Sequence, residues 1–121
     1  MEGLINIGGQ QFYYSTIDQV VDKCSRLESC AIIVDEIHLD ELLAKVEPII
    51  GKCVNQIIII SENVNKALKK LENKNLLLLA ACNLKEAIRI GILGEGMFKD
   101  IICIPKEEES ELKSIVELII V

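Results

Sequence analysis

The sequence predicts a single α/β domain over residues 1–121: a Rossmann-like or flavodoxin-like three-layer sandwich around a mostly parallel, about five-stranded sheet. Three observations predict it. Gln56-Ile57-Ile58-Ile59-Ile60-Ser61 carries four consecutive isoleucines, which cannot alternate between core and solvent, so this strand is buried on both faces as central parallel strands are. Apolar strand cores begin near residues 31, 57, 76 and 101, about 19 to 26 residues apart. One strand, one helix and two short turns fill that interval, and right-handed crossovers then give a parallel sheet with helices on both faces. Segments of helical periodicity, introduced by capping residues or acidic first turns, follow the strand cores.

Leu4 to Ile7 reads as a short first strand ended by Gly8-Gly9, and Gln10 to Tyr14 as an edge hairpin or an extension of it. Ser15 or Thr16 then caps a helix, with Gln19 at the reciprocal position, striped by Ile17, Val20, Val21, Cys24 and Leu27. Cys30 to Val34 is the next strand, and Asp35-Glu36-Ile37-His38 reads as a solvated loop into a helix with Asp40 near its start. That helix carries Leu39, Leu42, Leu43, Val46, Ile49, Ile50 and Cys53, and Pro48 should kink or divide it. Ser61 and Asn63 open a helix striped by Val64, Ala67, Leu68 and Leu71. Leu76 to Ala81 is a second two-sided strand. Asn83 caps a helix with Glu86 opposite, and Gly91, Gly94 and Gly96 end it. Asp100 to Ile104 is the last strand, stopped by Pro105. Glu107, Glu108, Glu109 and Glu111 crowd the first turn of a final helix, where carboxylates suit the dipole.

Composition narrows the function classes. A net charge of −6, two Phe, two Tyr and no Trp argue against nucleic acid, whose binding needs cations on phosphates and aromatic platforms for bases. The longest apolar run, Leu76 to Cys82, is far below the roughly 20 residues of a spanning helix. With no basic, apolar leader at Met1-Glu2-Gly3-Leu4, the expectation is a cytoplasmic protein with no membrane partner. Five cysteines without C-x-x-C spacing read as small buried hydrophobes and not as a zinc or disulfide framework. Cys82 stands apart, at a strand's carboxyl end beside a helix N-terminus.

Ligands of such sheets bind outside the carboxyl ends of the strands. Those ends are Gly8-Gly9-Gln10, Asp35-Glu36-Ile37-His38, Ser61-Glu62-Asn63, Ala81-Cys82-Asn83 and Pro105-Lys106. From this row Gly8, Gly9, Asp35, Glu36, His38, Ser61 and Asn63 are the candidate ligand-binding residues. Gly8-Gly9 would let backbone approach a phosphate, although no phosphate-loop motif follows and a plain turn accounts for it. Asp35, Glu36 and His38 are the one acidic–histidine cluster, and a single histidine builds neither a triad with a second histidine nor a metal pair. Ser61 and Asn63 are N-cap residues whose backbone amides would also hold an anion. Phe12, Tyr13 and Tyr14, three of only four aromatics, beside a candidate edge strand, are the candidate homodimer or partner patch. No metal or cofactor is expected.

The strand Ala31–Val34 with Asp40-x-Leu42, Ile57–Ile60 with Asn63-x-x-x-Ala67, Asn83-Leu-Lys-Glu-Ala87-Ile and the strand Asp100–Ile104 ending in Pro105 follow an order and spacing that resembles the C-terminal domain of the Mur-type peptide ligases. The resemblance implies a Rossmann-like domain which, in that family, binds the incoming amino acid and closes over ATP held elsewhere. The family's Asp-rich motif after the first strand is replaced by Gly8-Gly-Gln-Gln-Phe12, and its Ser-Pro-Ala-x-x-Ser-type loop by Ile104-Pro-Lys-Glu-Glu-Glu109. The implied fold therefore comes without the ligase chemistry. Leu77 to Ala81 through Ala87-Ile88 to Gly94, with Ile104-Pro-Lys106, is also similar to the last third of response-regulator receiver domains. There a phosphoacceptor Asp would end the strand that Ser61 ends. Slipping the register puts Asp35 in the phosphoacceptor place and Ser61 in that of the switch hydroxyl.

The functional expectation is a non-catalytic domain binding a small ligand or a partner protein at the carboxyl edge of its sheet. The alternatives are a receiver-like signalling domain, or a small enzyme using Asp35, Glu36 and His38.

Overall fold

The computed structural model describes residues 5–7, 10–63, 65, 69, 77–93, 98–104 and 114. Six strands form one sheet in the order β1-β2-β6-β3-β4-β5: β1 is Ile5–Ile7, β2 Gln10–Tyr14, β3 Cys30–Asp35, β4 Val54–Ile60, β5 Leu77–Ala81 and β6 Asp100–Ile104. The five strands β2 to β6 are mutually parallel, and β1 closes one edge as the antiparallel arm of a hairpin with β2. The predicted α/β sandwich is the observed one. Its parallel strands follow β2-β6-β3-β4-β5, which differs from the 2-1-3-4-5 order of flavodoxin-like and receiver sheets, so the receiver resemblance stops short of topology.

Helices cover both faces. α1 (Val20–Ser25) and α2 (Glu36–Val46) lie on one, where Val20, Cys24, Leu39, Leu42 and Val46 meet Ile32, Val34, Ile57, Ile59, Ile102 and Ile104. α3 (Leu84–Leu93) lies on the other, where Leu84, Ala87 and Ile88 meet Ala31, Ile33, Ile58, Ile101 and Cys103. Successive residues of β3, β4 and β6 thus alternate between two cores, which is why they are continuous aliphatic runs. At roughly 1.5–3 kcal/mol for each fully buried aliphatic side chain, these two layers dominate the favourable side of folding.

Several helix boundaries differ from the sequence reading, each for a visible reason. α1 starts at Val20, not after Ser15 or Thr16, and its N-cap Gln19 makes no side-chain capping bond. Ser15 is still tied to the sheet, its N–H donating to Cys103 O at 3.0 Å, so the chain is not free to turn until later. α2 starts at once after β3, because Asp35 is both the last strand residue and the N-cap, accepting the Ile37 N–H at 2.9 Å. Glu36, Ile37 and His38 are therefore the first helical turn and not a loop. Pro48 divides the helix as expected: α2 ends at Val46 and a 3₁₀ turn covers Glu47–Ile49. Gly51, at φ 84°, then reverses the chain into β4, so Cys53 lies in a turn and does not extend the helical stripe. Asn83 caps α3 through the Glu86 N–H at 2.9 Å, whereas the Glu86 carboxylate turns to Arg89 and leaves the reciprocal bond unmade. Gly91 lies within α3 and does not end it.

The aromatic segment is a second correction. β2 is an interior strand, with β1 on one side and β6 on the other, so Phe12 and Tyr13 do not form an exposed patch. Phe12 is fully buried on the α3 face and Tyr13 on the α1–α2 face, while Tyr14 is half-buried. Tyr13 satisfies its hydroxyl by donating to Asp100 Oδ1 at 3.0 Å. Burial, with the neighbouring Asp100 carboxylate, pushes its pKa up to about 12. Gly8, Gly9, Pro105 and the expected helices over 64–71 and 107–119 fall outside the described residues, apart from Asn65, Lys69 and Ser114, which are helical.

Candidate functional site

The strand registers bring three carboxyl ends to one level. Asp35 pairs with Ile60 across β3 and β4, and Ile60 with Ala81 across β4 and β5. The residues that follow, Glu36, Ser61 and Cys82, therefore leave the sheet side by side. The Ser61 N–H extends the ladder one step to Ala81 O at 2.9 Å.

Topology opens a crevice at this point. The chain steps from β3 to β4 to β5 in one direction, then reverses to insert β6 between β2 and β3. After β3 it turns into α2 on one face, and after β5 into α3 on the other. The end of β4 lies between these divergent helices, the geometry in which doubly wound sheets hold ligands. A cleft of about 370 Å³ lies there, with Asp35, Glu36, Ser61, Glu62, Cys82 and Asn83 in its wall and Ile37, Ile60 and Leu84 as its apolar part.

The polar groups are ordered by local bonds. Ser61, only 4% exposed, donates its hydroxyl to Glu36 Oε2 and accepts the Asn63 N–H at 3.0 Å. Asp35 is held by its capping role, and Asn83 Nδ2 points to Cys82 Sγ at 3.5 Å, fixing its Oδ1 toward Glu86 N. Among the described residues no cationic side chain pairs with Asp35, Glu36 or Glu62. The wall is thus acidic and hydroxylic, with a thiol and an amide opposite.

Of the residues singled out from sequence, Asp35, Glu36 and Ser61 meet in this cleft. Asn63 supports it through its backbone while its side chain is exposed. His38 is half-buried on α2 outside the cleft wall, with its Nδ1 buried and, among the described residues, without a hydrogen-bond partner. Glu62, Cys82 and Asn83 belong to the wall although only the strand-end row, not the candidate set, contained them; their positions directly after strand ends were the available signal. Among the described residues no group of three or more His, Cys, Asp or Glu side chains is arranged to hold a metal ion. Nor is any helix there long and apolar enough to cross a membrane.

A second groove, of about 640 Å³, opens at the opposite end of the sheet between Arg26, Glu28, Ser29, Phe98 and Lys99. Three polar groups of its wall are committed to structure: Asp100 to Tyr13, Ser29 Oγ to Asn55 Nδ2 at 2.7 Å, and the Phe98 carbonyl to Gln10 Nε2 at 3.0 Å.

The fold is that of a Mur-ligase-like α/β domain. The structure is similar to a crystallised domain assigned to a UDP-N-acetylmuramate:L-alanyl-γ-D-glutamyl-meso-diaminopimelate ligase from Haemophilus ducreyi, with a TM-score of 0.59 and 14% identity over 98% of this chain and 95% of that one. At that identity the likeness is one of fold. No protein-family model matches the chain, and no curated protein matches it by sequence.

Proposed function

We propose that this domain binds a small ligand bearing a cationic amine at the carboxyl edge of its sheet, without itself performing chemistry. The observation that carries the reading is the cleft at the end of β4, walled by Asp35, Glu36 and Glu62 with no cation of the described chain set against them. A wall that carries carboxylates attracts an ammonium group entering the cleft. The Ser61 hydroxyl and the Asn83 amide add directional bonds for a ligand that also carries hydroxyl or carboxyl oxygens, and Ile37, Ile60 and Leu84 receive its hydrocarbon part. The ligase named for the similar structure is named for a peptide ending in meso-diaminopimelate, an amine-bearing amino acid of suitable chemistry as a probe.

A thermal-shift screen of meso-diaminopimelate, L-lysine, UDP-N-acetylmuramate and ATP tests this. A ligand at about 100 times its Kd adds roughly 2.7 kcal/mol, which raises Tm on the order of 10 °C in a domain of this size. The expected result is a shift with the amines and none with the anionic nucleotides. A shift confined to ATP or UDP-N-acetylmuramate, or no shift at all, would contradict the reading.

A further inference from the structure

Sequence spacing keeps the five cysteines apart, but the fold brings two together at the amino end of β3, the opposite end of that strand from the cleft. Cys24, near the end of α1, and Cys30, the first residue of β3, are both fully buried, and their sulfurs lie 3.7 Å apart with the Cys30 thiol donating to Cys24. We propose that Cys24 and Cys30 form a redox-active dithiol, which a small-molecule disulfide converts to a protein disulfide that staples α1 onto β3.

Three observations carry this. The sulfurs are already in contact, so a shift of under 2 Å reaches the roughly 2.05 Å of a disulfide bond. One partner sits on a helix and the other on a central strand, so the bond would join two elements that otherwise meet through apolar packing alone. α1 is also the shortest of the three described helices and the least capped. It spans six residues and lacks a side-chain N-cap, whereas α2 and α3 span eleven and ten and are capped by Asp35 and Asn83. Six residues are far short of the roughly 12–15 at which a helix begins to hold itself in water, so α1 depends on its packing. Opening it uncovers both thiols.

Closed, the pair is unreactive: the bond to Cys24 and burial together push the Cys30 thiol pKa far up, and a thiol attacks only as thiolate. Once α1 opens, one thiol loses its proton to water and attacks a sulfur of glutathione disulfide, breaking that S–S bond and releasing one glutathione thiolate. The second protein thiolate attacks the protein sulfur of the mixed disulfide and expels the other. Two protein thiols and one glutathione disulfide become one protein disulfide and two glutathione thiols, which take up the two protons. Cys53 is the competing partner, half-buried in the turn before β4, its carbonyl accepting the Cys30 N–H at 2.7 Å.

The test incubates the native full chain with glutathione disulfide, blocks remaining thiols, and maps tryptic peptides without reduction. Cleavage after Lys23 and Arg26 leaves Cys24–Arg26 joined to Leu27–Lys45 if the bond forms. The expected result is that linked pair, abolished in Cys24→Ser, with slower amide exchange across Val20–Ser25 in the oxidised protein than in the reduced one. Linkage of Cys53 to either residue instead, or a Cys24–Cys30 bond that forms only in urea-unfolded chain, would overturn the pairing. The expected bond with unchanged exchange over α1 would overturn the staple.

Discussion

The same parallel strands end in two different kinds of surface. At their amino ends the polar side chains are matched inward: Tyr13 to Asp100, Asn55 to Ser29, Gln10 to the Phe98 carbonyl. At their carboxyl ends Asp35 and Asn83 cap the helices that follow them and Ser61 donates to Glu36, all in the wall of a cleft. The difference follows from topology. Among the described residues, α2 and α3 diverge from the carboxyl ends of β3 and β5 to opposite faces, with the end of β4 between them. The amino ends should therefore govern stability, and the carboxyl ends binding.

Substitutions sharpen that division. The reference is the middle of the sheet, common to both ends: Ile58→Ala should cost about 2–5 kcal/mol in urea unfolding, because Ile58 is fully buried between β3 and β5. At the amino end, Asp100→Ala leaves the buried Tyr13 hydroxyl without its acceptor and should cost about 1–3 kcal/mol while ligand-induced shifts are unchanged. At the carboxyl end, Asn83→Ala removes the α3 cap and should cost about 1 kcal/mol. Glu62→Gln, on an exposed residue, should stay within about 0.5 kcal/mol of wild type yet weaken amine binding. A Glu62→Gln protein that loses as much stability as Asp100→Ala would break the comparison.

Alkali probes the buried groups. Tyr13 is raised from 10.0 to about 12, and Cys103, by burial alone, from 9.0 to about 12. Both favour the protonated form in the fold, so their contribution is complete below about pH 9 and is lost as pH climbs toward 12. Urea midpoints measured from pH 8 to 11 should fall from about pH 9 onward, and Tyr13→Phe should flatten the part of the fall above pH 10. An unchanged slope in that variant would remove Tyr13 from the account.

Much of this was legible in the sequence, and the rest was hidden for definite reasons. Ile57 to Ile60 announced a two-sided strand because no polar residue interrupts it, and Asp100 to Ile104 was delimited to the residue. The early start of α2 was obscured because Asp35 closes a strand and caps a helix at once, with no loop residue between. Phe12 and Tyr13 read as an edge because their strand's second neighbour, β6, comes from the far end of the chain, and strand order is not a local property. The row of strand ends was visible. Which of its members share a cleft depended on the Asp35–Ile60–Ala81 register and on the reversal after β5. The meeting of Cys24 with Cys30 had no periodic signature at all.

The most direct measurement compares the Tm shift given by meso-diaminopimelate in wild type, Glu36→Gln and Asp100→Asn. If the carboxyl-end cleft is the binding site, wild type and Asp100→Asn shift alike and Glu36→Gln loses most of the shift. A shift kept in Glu36→Gln but lost in Asp100→Asn would put binding at the other end of the sheet and contradict the account.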